Sequence, residues 1–558
     1  MRDGTVGRLI VWGLAATVAC SSEKPAAPPV ACHAAQATQV TLAIGAYTSI
    51  DPASDVGCTT FPANASAVDS AEYLVVAQST GGDPGGSAAF SLVGVTPSPA
   101  APATARMIAP FSSGSRSAAV AFDQLLRNVG RAHAARPRPL ATAPAAGSIA
   151  ATITPPTIGS LRSFTVCANR ADCSMASDFK RVGARAVAVG AHVAIYVDTL
   201  APANGLDSAD IDTLKQVFDA RLYPLAVDTF GAVSDIDSNG VVIALMSPVV
   251  NSLVTKAECD SAGFIAGFFF PPDLDNAAPA FQSNRGEVFY SIVADPTGTL
   301  SCAHSSASVK RIIPSTFVHE FQHMINFAQH ILFRSGQATE DGWLDEGLSK
   351  YAEELAARTY LPGDTTTFHH YMDDNDFYDA GQYLSKTGTS FLLIPFDNGT
   401  LADIGASWLF VRYLMDQSPG GLAGKLVQTT LFGEANVAAQ TGQNFSTLVS
   451  RWALANWVSD LPGFTPPPEL TYTSWRFRAE FDSLYTKFPS NFTPSYPLAP
   501  IASAGARVNV SGHLDAGSGL YVRALQGPGA PAFTLSLTGS NATLFTSVVP
   551  RLTVIRIR

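Results

Sequence analysis

The chain has 558 residues, of which 47% are hydrophobic and 14% charged, so wholesale disorder is excluded. That length exceeds one ordinary core, and roughly two to four domains are expected. A net charge of −10, a pI of about 5.5 and no basic stripe exclude the electrostatic footprint of a nucleic-acid binder.

The N-terminus carries Arg2 and Arg8 and then LIVWGLAATVA, an apolar run of signal length that is too short for a stable membrane anchor. Small residues lead to Cys20, and SSEKPAAPPV follows. This pattern resembles a bacterial lipoprotein signal. It implies a signal peptide over 1–20, a lipid on Cys20, a tether over 21–36, and a mature chain at the cell surface or outer membrane. Ordinary cleavage near Ala19 and free secretion remain open. In either case the mature chain is expected outside the cytoplasm, with membrane contact only through an N-terminal lipid where one is attached, and an exported compartment permits disulfides. Six cysteines remain after Cys20. Cys167 with Cys173, Cys32 with Cys58 and Cys259 with Cys302 are the natural pairs, although six cysteines allow about fifteen pairings. There is no CxxC pair to hold a cysteine-based metal site.

Residues 37–115 read as a β-rich N-terminal domain, with TQVTLAIGAYTSI, EYLVVAQST and SAAFSLVGV as short strands between turn residues. Residues 116–147 read as a linker that contains one helical stretch, 118–133, and a Pro/Ala-rich boundary. Its basic segment, Arg131 to Pro139, has the composition that proteases attack, which suggests a processing site between a prosegment and the rest. From 148 to 463 strands give way to helices, and residues 464–558 alternate again, as a C-terminal β-rich domain. DIDSNG matches the start of a calcium loop at Asp235, Asp237 and Asn239, but its twelfth position is Met246 where a glutamate is needed. A hairpin turn at Asn239-Gly240 is the better reading, and calcium the lesser one. The sequons at Asn64 and Asn398 are incidental in a bacterial chain.

PSTFVHEFQHMINF, Pro314 to Phe327, carries the chemistry. Ser315 or Thr316 would cap a helix whose apolar residues form its buried faces. His319 and His323 are four residues apart and so project from one side, as two corners of a tetrahedral zinc ion. Glu320 lies beside that face, where it could take the proton of an attacking water. A third ligand is available 23 residues after His323, at Glu346 in GWLDEGLSKYAEE, across the turn-rich loop SGQATEDG. Asp345, Glu340, Glu353 and Glu354 compete with it. Glu346 is preferred because it opens a helix next to Trp343 and Leu344. Two histidines and a glutamate leave the fourth corner open, as in catalytic rather than structural zinc sites.

FVHEFQHMINF followed by WLDEGLSKYAEEL resembles the hyicolysin family of bacterial extracellular metallopeptidases. The resemblance extends more loosely over residues 148–460. It implies a gluzincin, that is, a multidomain α+β protein whose thermolysin-like catalytic domain pairs a mixed β-sheet with a mainly helical C-terminal subdomain, here flanked by small β-rich domains. It also implies one catalytic Zn2+ on His319, His323 and Glu346, Glu320 as general base, and protein or peptide substrates. Asp345 receives no role. GEVFYSIVAD, Gly286 to Asp295, would be the edge strand that receives an extended peptide. The oxyanion donor would lie after Glu346, among His369, His370, Tyr371, Tyr378 and Tyr383. Asn326 and His330 share the helical face of the histidines and could support them. Two other readings of the same residues stay open. One is a degenerate peptidase that serves as a surface-binding lipoprotein, and the other is a zinc hydrolase of a non-peptide substrate.

Overall fold

The computed structural model describes residues 37–53, 57–95, 106–107, 118–136, 153–396, 399–539 and 547–558. The expected signal peptide, Cys20, Cys32, the Pro/Ala-rich boundary and the Asn398 sequon lie outside these residues.

The strands near the two ends of the chain form one β-sandwich. One sheet runs in the order Thr38–Gln39, Cys58–Phe61, Phe533–Gly539, Ser87–Val95, Asn509–Asp515, Arg106–Met107. The other runs Ile501–Ala504, Gly519–Gln526, Ala71–Gly82, Val548–Arg556, Tyr47–Ile50. The expectation of separate β-rich domains at the two ends is therefore corrected. Both segments contribute strands to both sheets, and a single core holds them, with Phe61 stacked on Phe533 at 4.5 Å and edge-on to Tyr73 at 4.9 Å.

The strand Ala71–Gly82 is buried on both faces, and the reason is in its alternation. Tyr73, Val75 and Ala77 enter the sandwich core, whereas Leu74 and Val76 enter the larger core of the rest of the molecule. The helix Phe445–Val458 covers that outer face, and Gln78 donates to Ser450 Oγ at 3.2 Å. On a neighbouring strand Tyr521 donates to the carbonyl of Ala453 at 2.9 Å.

The third sheet belongs to the middle of the chain. Its order is Gly267–Phe269, Val288–Ser291, Val242–Met246, Val193–Asp198, Phe179–Val189, Leu161–Cys167. The second, third and fourth of these strands are mutually parallel, and the remaining pairings are antiparallel. The helix Ser306–Phe327 packs on this sheet, with Phe317 edge-on to Phe289 at 4.5 Å. Val288–Ser291 lies between two strands, so the expectation that GEVFYSIVAD supplies the edge is corrected. The edge is Gly267–Phe269, three residues long and antiparallel to its neighbour, too short to show a period in the sequence.

The helix Ala118–Ala134, expected within a linker, is part of the packed body. Phe122 is 1% exposed and stands edge-on to Phe268 of the edge strand at 5.1 Å. Disulfides join Cys167 to Cys173 and Cys259 to Cys302, as the spacing predicts, and Cys58 is also disulfide-bonded.

Candidate functional site

The helix that carries the two histidines starts earlier than its sequence suggests. Ser305 caps it by accepting from the amide of Ser308 at 3.1 Å, and Pro314 lies inside it rather than before it. A proline there withdraws one backbone donor but still fits when packing fixes the helix on both sides, and Ile313 and Phe317 are buried around it. The following helix, Gly342–Arg358, brings Glu346 back across the first. Its other side packs closely on the helix Leu401–Gln417, where Gly347 leaves room: a Cβ there would meet the carbonyl oxygen of Ser407 at 2.7 Å.

His319, His323 and Glu346 converge. Nε2 of His319 and Nε2 of His323 are 3.2 Å apart, and they lie 3.5 and 3.4 Å from the two oxygens of Glu346. The outer nitrogens are spoken for. Nδ1 of His319 donates to Glu353 Oε1 at 2.8 Å, and Nδ1 of His323 lies 3.0 Å from Asp345 Oδ2. Carboxylates only accept, so each Nδ1 atom carries a proton and both Nε2 atoms face inward. Burial alone would lower the His319 pKa, yet its hydrogen bonds to the carboxylates of Glu346 and Glu353 raise it well above its ordinary value. The same partners stabilise any cation at that nitrogen. Glu346 Oε1 is buried and takes no hydrogen bond. Two converging imidazole nitrogens, which lose their inward protons when a cation binds, and an orphaned carboxylate oxygen suit a divalent cation, and the donor set of two nitrogens and one oxygen suits zinc.

Glu320 stands beside this triangle and accepts from the backbone amide of Phe269, on the edge strand, at 2.9 Å. Burial raises its pKa, against the opposing pull of His319, His323 and Arg127. A cavity of about 480 Å³ opens here, between the edge strand, the two ligand helices and the helix Ala118–Ala134. Among its walls are Phe264, Ile312 and Ile404, so it is largely apolar around a charged floor.

Several residues in this shell have no sequence signal. Asp345, assigned no role from sequence, holds His323 and is itself held by Asn326 Nδ2 at 2.5 Å and Arg127 at 3.0 Å. Burial works against its charge, but His323, Arg127 and Asn326 keep it well below the usual carboxylate range. Asn326 thus supports His323 through Asp345. Glu353, a competing ligand in the sequence reading, orients His319 instead. Two turns separate it from Glu346 on one helix face, a spacing that could have indicated this. Lys350 neutralises Glu353 at 3.4 Å and Asp379 at 3.3 Å. Asp123 and Arg127 come from the helix Ala118–Ala134, and no local pattern links them to the site.

Among the expected oxyanion donors, His370 lines the cavity. Tyr383 does not reach it: its hydroxyl accepts from Ser518 at 3.2 Å and its ring stacks on Trp452 at 5.5 Å, in the joint with the sandwich. His330 is buried 3.9 Å from Glu340, and burial pushes it down to about 4. His369 turns to Asp373 at 3.2 Å, Tyr371 packs on Tyr360, and Tyr378 packs on Phe492.

The other acidic competitors have structural tasks. Glu340 accepts from the amide of Gly433 at 2.6 Å and from Asn436 at 2.7 Å. Glu354 accepts from Arg412, Arg358, Trp408 and Trp475 at 2.9 to 3.2 Å. Glu354→Ala would leave Arg412 buried beside a void. It is expected to cost about 3–5 kcal/mol in chemical denaturation, with metal content unchanged; a loss of metal at unchanged stability would show that Glu354 is a ligand after all.

At the calcium-like turn, Asp235 and Asp237 gather with Glu287. Asn239 donates to Asp237 Oδ2 at 2.9 Å and accepts from the amide of Val241 at 2.7 Å. Arg162 lies 3.2 Å from Asp237, and Glu287 accepts from Ser234 at 2.7 Å. The turn leads into the strand Val242–Met246, which pairs in parallel with both neighbours, so it is not a hairpin, and the Asn239 side chain is taken up within the turn. The Asn64 amide is likewise engaged, donating to the carbonyls of Asp69 at 2.8 Å and Gly527 at 2.9 Å.

No protein-family model matches the chain. A segment of 218 residues, 39% of the chain, is 26% identical to the neutral metalloprotease ShpI of Staphylococcus hyicus. The match spans 44% of that relative's length. This distant and partial likeness suggests a metalloprotease-like hydrolase. No described helix is long and apolar enough to cross a membrane.

Proposed function

We propose that the protein is an exported zinc endopeptidase, with residues 148–463 as its peptidase module. His319, His323 and Glu346 would hold the metal and Glu320 would be the general base. The observation that supports this reading is that Nε2 of His319 and Nε2 of His323 meet 3.2 Å apart beside Glu346, with a carboxylate behind each ring. Zinc bound there would polarise a scissile carbonyl and acidify a water molecule.

The chain's own residues do the rest. Gly267–Phe269 offers a sheet edge beside the cavity, where an extended peptide can add as a further strand. The amide of Phe269 holds the Glu320 carboxylate at 2.9 Å, ready to take a proton from an attacking water and return it to the departing amine. His370 is the side chain on the cavity wall best suited to donate to a developing oxyanion. Export rests on the lipoprotein-like N-terminus, with Cys20 as the lipid site.

The test is zinc binding and casein cleavage by wild type and Glu346→Ala. Wild type is expected to bind one zinc ion and cleave casein, while the variant loses at least ~100-fold in zinc affinity, the upper range for even supporting residues. Unchanged affinity would reject Glu346 as a ligand. Wild type with neither zinc nor cleavage would reject the peptidase reading and favour a surface-binding lipoprotein.

A further inference from the structure

We propose that the Cys259–Cys302 disulfide is a thiol-exchange site that controls peptide binding, with His304 assisting its opening; the peptide-binding part rests on the peptidase reading. His304 reaches both sulfurs. Its Nε2 lies 3.8 Å from Cys259 Sγ and 3.7 Å from Cys302 Sγ. Two backbone hydrogen bonds with Asp295, at 2.8 and 2.9 Å, fix its place, and Phe264 stands edge-on to its ring at 4.4 Å. Burial lowers the His304 pKa, against the pull of Asp295, so the ring is neutral and carries one N–H. Cys302 is half-buried, whereas Cys167 and Cys173 are 1% and 0% exposed. An incoming thiolate of a dithiol reductant therefore attacks Cys302. That attack bonds the reductant to Cys302 and expels the Cys259 sulfur as thiolate. An N–H on Nε2 can donate to this thiolate, and a stabilised thiolate leaves faster. The second thiol of the reductant then closes its own disulfide and releases Cys302. The protein gains two electrons and two protons, and the dithiol is oxidised.

The bond matters because of what it holds. Cys259 is the one buried residue of the helix Lys256–Ala262. Glu258 of that helix pairs with Arg170 at the surface, where ion pairs hold little. From the helix the chain runs directly into the cavity wall. Residues 262–268 all line it, and Gly267–Phe269 is the edge on which a peptide would add. Cys302 stands three residues before Ser305, the cap of the helix that carries His319 and His323. The disulfide thus ties the peptide edge to the root of the ligand helix. Opening it frees the helix Lys256–Ala262 and the loop up to Ile265. The loosening stops short of Glu320, because the carbonyl of Ala266 accepts from the amide of Ile292 at 3.1 Å and Phe269 pairs with Phe289. Peptide affinity falls while the chemical step stands.

The full-length chain carries the test. Opening by dithiothreitol is followed by maleimide labelling and mapping of the labelled cysteines. Cys259 and Cys302 are expected to label before Cys167 and Cys173. His304→Phe keeps a ring against Phe264 but lacks the donor, and it is expected to slow that labelling ~10-fold. Hydrogen exchange over residues 262–265 should quicken on reduction, a readout that needs no activity. The double variant Cys259→Ser/Cys302→Ser is then loaded with zinc, free of reductant. Its KM for a quenched fluorescent peptide is expected to rise ~10-fold, with kcat within ~2-fold, as follows when the competent wall is populated about a tenth of the time. Labelling in the reverse order, equal rates in a folded His304→Phe chain, unchanged exchange on reduction or an unchanged KM would each overturn the proposal. A fall of kcat together with zinc content would overturn it too, because the bond would then support the whole site. Wild type that binds no zinc and cleaves nothing would sink the peptidase reading instead, and labelling and exchange would still decide the role of the disulfide.

Discussion

Glu320→Gln is expected to abolish casein cleavage while bound zinc stays at the wild-type level. Glutamine has the same shape, and its carbonyl oxygen can still accept from the amide of Phe269, now 2.9 Å from Glu320. It cannot take a proton. A positioned general base contributes about 10²–10⁴-fold, and that is the loss expected in turnover. Zinc is retained because Glu320 is outside the triangle of His319, His323 and Glu346, whose donor atoms lie together. Equal activity in the two proteins would sink the mechanism. Loss of zinc along with activity would mean that Glu320 itself is a ligand.

The local half of this site was legible in the sequence. Four-residue spacing puts His319 and His323 on one face, and a turn-rich loop followed by an apolar helix start points to Glu346. Helical periodicity needs only neighbours, so these residues can be read without the fold. Asp345 was passed over although it sits beside Glu346, because its partner His323 is on another helix and its counter-ion Arg127 on a third. The start of the first helix was misplaced because Pro314 looks like a boundary, whereas Ser305 does the capping. Tyr383 is plausible by position alone, but its helix, Phe377–Ser385, turns it onto Trp452, whereas His370, on the helix Thr365–Tyr371, lines the cavity. The edge strand was lost for a simpler reason, since three residues cannot display a period of two.

A chain that ends at Pro500 is expected to lose the whole sandwich, not a terminal domain. Residues 501–558 supply both neighbours of Ala71–Gly82, namely Gly519–Gln526 and Val548–Arg556. They also supply Asn509–Asp515 and Phe533–Gly539, the two strands that flank Ser87–Val95. Removing them exposes Tyr73, Val75, Ala77, Phe90 and Leu92, all of them buried. At about 1.5–3 kcal/mol for each large apolar side chain, the loss reaches the ~5–15 kcal/mol that holds a typical domain together. It also leaves two long strands with bare edges, which recruit other chains. Limited proteolysis should then cut freely between residues 57 and 95, which hold three strands in the intact chain, and gel filtration should show aggregates. Two independent β-rich domains predict the opposite, a protected N-terminal fragment. Each strand is readable locally, but the pairing of Leu74 with Ile555 spans nearly the whole chain, and no local pattern encodes it. If the protected fragment appears, the shared sheets are wrong; if it does not, the strands of residues 38–95 and those of residues 501–556 stand or fall together.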